Sequence, residues 1–342
     1  MKINSVFVTV LSLLVSNYIF AQGSLTPPGA PAPTMKSLDQ IEPRIPVSAS
    51  TTPGNGNNLY IISQPGSYYL TTNIVTVTNY GATGIEILPN NVTLDLNGFS
   101  VICTSTNIGT YGIYIPNTQT NITVRNGTIN GWYYGVFSIN GDSANLVFER
   151  LNAVNCVKVN NSNGYGMTLN GPAVLRDCTF EGNGTGAACN NNVSTGSSVI
   201  TGCTASHNYF SGIVCSGSGI ISDCTANNNS SVGIDVAFNQ FGSSSTDGCL
   251  VSGCTVNNNY FGIYIQGARN RIENNHAVNN SYGIYVYDGG GPYTNNIIVK
   301  NSVEGSGVAN YTITGAQIVG PFITNTMSGI ITNLNPWANF SF

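Results

Sequence analysis

The sequence predicts an all-β protein, a right-handed parallel β-helix (solenoid) of about nine or ten coils with an N-terminal cap segment. Three observations predict it. One phrase, Gly-Ile-x-Ile or a near relative, recurs at Gly84, Gly112, Gly135, Gly166, Gly186, Gly212, Gly233, Gly262 and Gly283. A second phrase falls between its copies: an aliphatic residue, Cys or Asn three places on, then a small or apolar residue, as in Leu175…Cys178…Phe180 and Ile272…Asn275…Ala277. The composition is the third: 41% hydrophobic but only 7% charged, with 40 glycines and a net charge of -4. An ordinary soluble domain is about a quarter charged.

The glycine phrase fixes the coil. Its copies are 28, 23, 31, 20, 26, 21, 29 and 21 residues apart, which implies a constant strand with loops of changing length on one side. Each period then holds two or three short strands, joined by turns such as Asn183-Gly184 and Asn227-Asn228-Asn229. Helical repeats are excluded, because Gly, Asn, Ser and Thr occupy the places that need helix formers. A propeller blade needs about 40–45 residues. Stacked coils lie about 4.8 Å apart, so residues one period apart become neighbours.

That stacking places the cysteines. Cys178, Cys203, Cys224 and Cys254 form an internal column continued by Asn275 and Asn301, and Cys189 and Cys215 form a second. Free, packed thiols are the favoured state and bridges between neighbouring coils the alternative. A linear column without His is no metal site.

The ends carry their own signals. Residues 1–21 read as a secretory signal: Lys2, an apolar stretch over residues 6–20, and Phe20-Ala21-Gln22 for cleavage. Thr9, Ser12, Ser16 and Asn17 interrupt that stretch, which is too short for an anchor. The chain is expected to be exported, to the periplasm, the cell surface or beyond. Residues 22–57 are a proline-rich extended segment and a cap, with one or two helical turns over residues 35–44 between Thr34 and Pro43. Residues 58–342 are the β-helix, closed by the aromatic segment 333–342. Ten Lys plus Arg without a basic cluster exclude electrostatic nucleic-acid binding. No later segment can span a membrane. No Walker loop, dinucleotide fingerprint, Gly-x-Ser-x-Gly elbow or zinc spacing is present, so no cofactor and no metal is expected.

Three stretches carry a family resemblance. Pro65-Gly-Ser-Tyr-Tyr-Leu-Thr-Thr-Asn-Ile74, Asn91-Val-Thr-Leu-Asp-Leu-Asn-Gly98, and Asn270-Arg-Ile-Glu-Asn-Asn275 followed by Asn279-Asn-Ser-Tyr-Gly-Ile284 resemble the pectin-lyase-like right-handed β-helix superfamily. The resemblance is to its carbohydrate-binding and sugar-hydrolase repeat branch, which includes the NosD-type periplasmic proteins. It implies the fold and covers residues 58–310. The Asn-Thr-Asp, Gly-Asp-Asp, Gly-His-Gly and Arg-Ile-Lys motifs of polygalacturonase-like members are missing, as are the calcium-binding acidic clusters of pectate lyases. His207 and His276, with scattered Met, make no copper site of the NosD kind.

Candidate functional residues follow from the alternation of the glycine strand. Its two Ile positions face in and the middle one faces out, giving an outer column Glu86, Tyr114, Phe137, Thr168, Ala188, Val214, Asp235, Tyr264 and Tyr285. Tyr264, Tyr285 and Tyr287 are expected to form an exposed aromatic patch with Asp235 one coil away, suited to a sugar ring. Cross-strand ring packing is the competing role. The series Tyr111, Tyr134, Tyr165, Phe261 and Tyr282, just before the glycine, reads as structural stacking. Glu149, Arg150, Arg176 and Asp177 are expected to meet on adjacent coils, as a lyase-like Arg base with a charged neighbour or as an ion-pair network. Asp177 and Asp223, two coils or about 9–10 Å apart, would suit only an inverting hydrolase. Arg269 and Arg271, with Glu273, His276 and Lys300, would clamp an acidic sugar or form a solvated edge. The leading expectation is a non-catalytic exported protein whose partner is a polysaccharide or cell-surface glycan. A polysaccharide lyase or glycoside hydrolase with non-standard residues and a structural or adhesive surface protein are the alternatives.

Overall fold

Each Gly-Ile-x-Ile phrase is a strand, and each lies parallel on the next. The computed structural model describes residues 43–76, 82–105, 109–116, 119–139, 144–157, 164–190, 196–237, 246–287, 289, 293–324 and 335–342. The signal stretch and nearly all of the expected helical cap lie outside these. Eleven strands stack in sequence order in one sheet, from Asn58–Ile62 and Thr83–Ile87 up to Phe261–Ile265, Tyr282–Val286 and Ala309–Thr312. Equal places of the phrase are in register: Ile113 faces Val136, Met167 faces Ala187, and Ile263 faces Ile284. The second phrase folds into two shorter strands per coil, such as Ala173–Arg176 and Thr179–Glu181 under Ser198–Thr201 and Thr204–Ser206, within a twenty-two-stranded sheet. A coil therefore has three sides. Among the described residues there is no α-helix. Parallel stacking begins at Ile45–Pro46 on Gly66–Tyr69, ahead of the Asn58 start read from the sequence.

The recurrent glycine is a matter of space. Its inward side touches the next coil: a Cβ at Gly112 would lie 2.5 Å from the Gly135 carbonyl oxygen, and one at Gly262 2.5 Å from that of Gly283. No real side chain fits there.

The corner between the two short strands pairs a left-handed residue with an inward one. Asp177 (φ 54°), Asp223 (φ 54°), Asn274 (φ 56°) and Lys300 (φ 59°) precede Cys178, Cys224, Asn275 and Asn301. Asn, Asp and Gly tolerate that conformation best. The inward column is continuous, as expected, and Cys and Asn do the same job in it. The Cys254 thiol donates to Ile221 O at 3.7 Å, while the Asn275 and Asn301 amides donate to Val251 O and Ile272 O, both at 2.9 Å. Each of these carbonyls belongs to the equivalent residue of the preceding coil. Asn also accepts from that coil's N–H, Cys254 to Asn275 Oδ1 at 3.0 Å. Asn339, in the C-terminal segment, continues the column by accepting from Asn301 at 3.0 Å. All nine cysteines are buried thiols. The thiol of Cys178 is held protonated by its hydrogen bond to Cys203 and by burial, a state in which it is inert.

Two further amide columns were not anticipated. Cys156, Asn183, Asn208, Asn229, Asn259 and Asn280 line the second corner, and Cys249, Asn270 and Asn296 the third. The loops also differ from expectation. The extra residues fall at two points of the coil's sequence, not one: before the glycine strand in lower coils, between the strands that end at Thr76 and begin at Thr83, and after it in upper ones, between those that end at Ala237 and begin at Thr246. Either point can lengthen without disturbing the strands.

Candidate aromatic and amide binding face

The outward side of the eleven-stranded sheet carries two ring clusters. Both the glycine and the residue after it face the core, so the residue before the glycine and the one three places on share the outer face. In the lower cluster Tyr111 stacks on Tyr134 at 5.4 Å and Tyr134 on Tyr165 at 5.5 Å, with Tyr114 and Phe137 beside them. In the upper cluster Phe261 stacks on Tyr282 at 5.2 Å, and Tyr264 lies 5.6 Å from Tyr285 and 5.9 Å from Tyr287. The stacking expected of the pre-glycine series is present, and it merges with the outer column: Phe261 and Tyr264 are 4.8 Å apart. Between the clusters, the outward Thr168 and Ala188 are small and buried.

The expected exposure of the patch needs correction. Tyr264 and Tyr285 are half-buried by their neighbours. The rings most open to solvent in the upper cluster are Tyr287, 38% exposed, and Tyr260, 49% exposed, which packs edge-on to Phe261 at 4.7 Å. Asp235 lies in register beneath Tyr264. It is half-buried, but its Oδ1 is sealed from solvent without a hydrogen-bond partner, and desolvation raises its pKa to about 7. Burial, then the charge of Asp235, push the Tyr264 phenol up to about 12, against a hydrogen bond from Gln266 Nε2 at 3.2 Å. Below neutral pH, Asp235 is a neutral carboxyl group that can donate a hydrogen bond.

The other candidates lie elsewhere. Glu149 is bound by Arg150 at 3.1 Å and approached by Arg176 at 3.9 Å, both arginines being 52% exposed. Asp177 does not join them. Its left-handed corner conformation turns its carboxylate along the stack, over Gly202. Exposed pairs of this kind contribute less than about 1 kcal/mol each. Asp177 and Asp223 stand two coils apart, as the register Arg176, Thr201, Ser222 requires. Arg271 lies on the twenty-two-stranded sheet, bonded to Glu273 at 2.6 Å, and its guanidinium shares the Trp337 ring with Lys300. Arg269 sits at a left-handed corner (φ 58°). The structure therefore gathers Asp235, Tyr264, Tyr285 and Tyr287 and leaves Arg269 and Arg271 on another side. Among the described residues no group of three His, Cys, Asp or Glu is placed to hold a metal ion, and no helix is long and apolar enough to cross a membrane.

Sequence reasoning missed a groove beside the upper cluster. Asn228, Asn258 and Asn279 line it with Ser230, Ser281 and Tyr260; it is shallow and open to solvent, with about 470 Å³ of space over these residues. Tyr260 joins it to the aromatic face through Phe261 and through Tyr282 at 5.7 Å. The recurring Asn triplets 227–229 and 257–259 were its only sequence signal.

Comparison with known proteins bears on the fold. The family model of a right handed beta helix region matches residues 243–335. Among solved structures, the Dettilon tailspike protein superposes with a TM-score of 0.59 at 14% identity, over 83% of this chain and 60% of that one. The chain thus spans about three fifths of the tailspike's length. A mutant of the periplasmic alginate epimerase AlgG gives 0.39 at 15% identity, over 89% and 82%. A mutant tailspike protein of E. coli bacteriophage HK620, in complex with pentasaccharide, gives 0.34 at 13% identity, over 80% and 56%. No curated protein matches the chain by sequence. The fold is a right-handed parallel β-helix.

Proposed function

We propose that this chain is an exported protein that engages a polysaccharide through the upper aromatic cluster and does not act on it chemically. The observation that carries this is the open upper cluster. Lower and upper clusters use the same ring ladders, each with a corner tyrosine edge-on to the ladder, Tyr133 on Tyr134 and Tyr260 on Phe261, both at 4.7 Å. Tyr133 is half-buried, whereas Tyr260 and the additional Tyr287 of the upper cluster remain 49% and 38% exposed. Ring faces supply apolar area for the C–H face of a sugar, and the phenols and Asp235 supply hydrogen bonds. A corner ring also stands open at Tyr209, 48% exposed, but there the outward neighbours Ala188 and Val214 form no ring ladder. Export rests on residues 1–21. A glycan array probed with the chain tests the reading: binding is expected, and Tyr264→Ala with Tyr285→Ala should abolish it. Binding to no glycan would leave a structural or adhesive protein.

A second reading, a lyase or hydrolase, draws on Asp235, since a desolvated carboxyl group poised near neutrality beside the Tyr264 phenol is suited to proton transfer. Incubation with uronate polymers, followed by the ultraviolet absorbance of unsaturated product, distinguishes the two. Product release that Asp235→Asn eliminates would overturn the non-catalytic reading.

A further inference from the structure

The amide groove has features that the aromatic face lacks. Its floor is the fixed Asn229–Asn259 ladder, in which Asn229 Nδ2 donates to Asn259 Oδ1 at 3.1 Å and Asn259 Nδ2 to Asn280 Oδ1 at 3.0 Å. Its rim is different. Asn228, Asn258 and Asn279 hold left-handed corner conformations (φ 55°, 56° and 54°) that turn their side chains away from the ladder. Among the described residues none hydrogen-bonds the side chains of these three or of Ser230 and Ser281. Three amides, each with donor and acceptor, thus rise one coil, about 4.8 Å, apart. The half-exposed Tyr260 ring stands beside them. No lining residue is acidic or basic. The eleven strands of the adjoining sheet contain no Lys or Arg, and their acidic groups are Glu86 and Asp235.

We propose that this groove is a separate subsite that seats one uncharged sugar residue, its ring on Tyr260 and its hydroxyls on the amides of Asn228, Asn258 and Asn279. The polymer engaged is therefore neutral and not a uronate. This rests on the polysaccharide reading and narrows it. Mixed donor and acceptor amides match hydroxyl groups, which need both. A carboxylate there would find no lysine or arginine in the lining, while the corner residue one coil below Asn228, His207, already faces Glu181 at 3.9 Å, so the carboxylate would lose its hydration without replacement.

Titration calorimetry of the full chain with hexasaccharides of xylan and cellulose, and with those of alginate and polygalacturonate, tests it. A neutral hexamer should bind, and Tyr260→Ala and Asn258→Asp should each weaken it about ten-fold. Asn258→Gly, which keeps the backbone conformation, should weaken it as well while thermal unfolding stays at the wild-type temperature. Unchanged binding by Asn258→Asp and Asn258→Gly, with loss on Tyr260→Ala and Tyr264→Ala, would overturn the subsite and leave the aromatic-face reading standing. Tighter binding of a uronate hexamer would overturn the neutral class. If no hexamer binds, the aromatic-face reading fails and the subsite falls with it.

Discussion

At Asn275 one buried amide serves two backbone groups: its Oδ1 accepts the Cys254 N–H at 3.0 Å and its Nδ2 donates to Val251 O at 2.9 Å. Asn275→Ala strands both, and an unsatisfied buried group costs about 1–3 kcal/mol, so urea denaturation should show a loss of about 2–6 kcal/mol. Asn275→Cys should cost clearly less, because a thiol in this column already donates to the matching carbonyl in other coils. Asp235 offers a test by pH. Its carboxyl keeps its proton to about pH 7 in the folded chain and loses it near pH 4 when unfolded. Between those values the folded state binds more protons, so stability falls as pH rises and levels off above neutrality. Asp235→Asn removes that contribution, and its melting temperature should fall less between about pH 5 and pH 8 than the wild type's. The roles of single asparagines were the least legible part of the sequence. Asn228 faces out at a left-handed corner and Asn229, next to it, faces in on a ladder. The same side chain suits both jobs, so residue type alone cannot tell them apart.

The glycine strand was the most legible element. Its alternation marks which residues face in, and its spacing marks the coil, because both follow from the pleat and from the close approach at the glycine. Gly112→Ala would push a methyl group to 2.5 Å from the Gly135 oxygen and 2.6 Å from Ile129 Cγ2. Overpacking of this kind costs about 1–3 kcal/mol, and denaturation should detect it although Ala is the smallest replacement. The rings of the outer face were legible as columns. Their exposure was not, since it depends on Tyr260, a corner residue outside the phrase. The mismatch at Asp177 has the same origin: pairing by register assumes strand geometry, and a left-handed corner redirects the side chain. Tyr264→Ala and Tyr285→Ala therefore address packing and binding together, and the melting temperature should be read beside the glycan array.

In the whole molecule, each described coil touches chiefly its neighbours, so stability is nearly a sum of coils and the contacts between them. The final coil is held in part by Asn339, which accepts from Asn301 and donates to Ile298 O at 2.9 Å. Hydrogen exchange should accordingly be slowest in the central strands Thr185–Asn190 and Ser211–Ser216 and fastest at the last coil, and Asn339→Ala should speed exchange at Asn301 and Val303 well before it affects Cys189. Uniform protection from end to end would mean that the stack opens as one body.

The register also makes length a quantity that evolution can count in whole units. Gly262 and Gly283 are 21 residues apart, and the segment between them contains a complete circuit: ring, amide ladder, left-handed corner and glycine. A tandem copy of that segment would bring its own donors and acceptors for the coils above and below. It would extend the ringed surface by one further step of about 4.8 Å without asking any existing residue to change, so a longer outer face is a single duplication away.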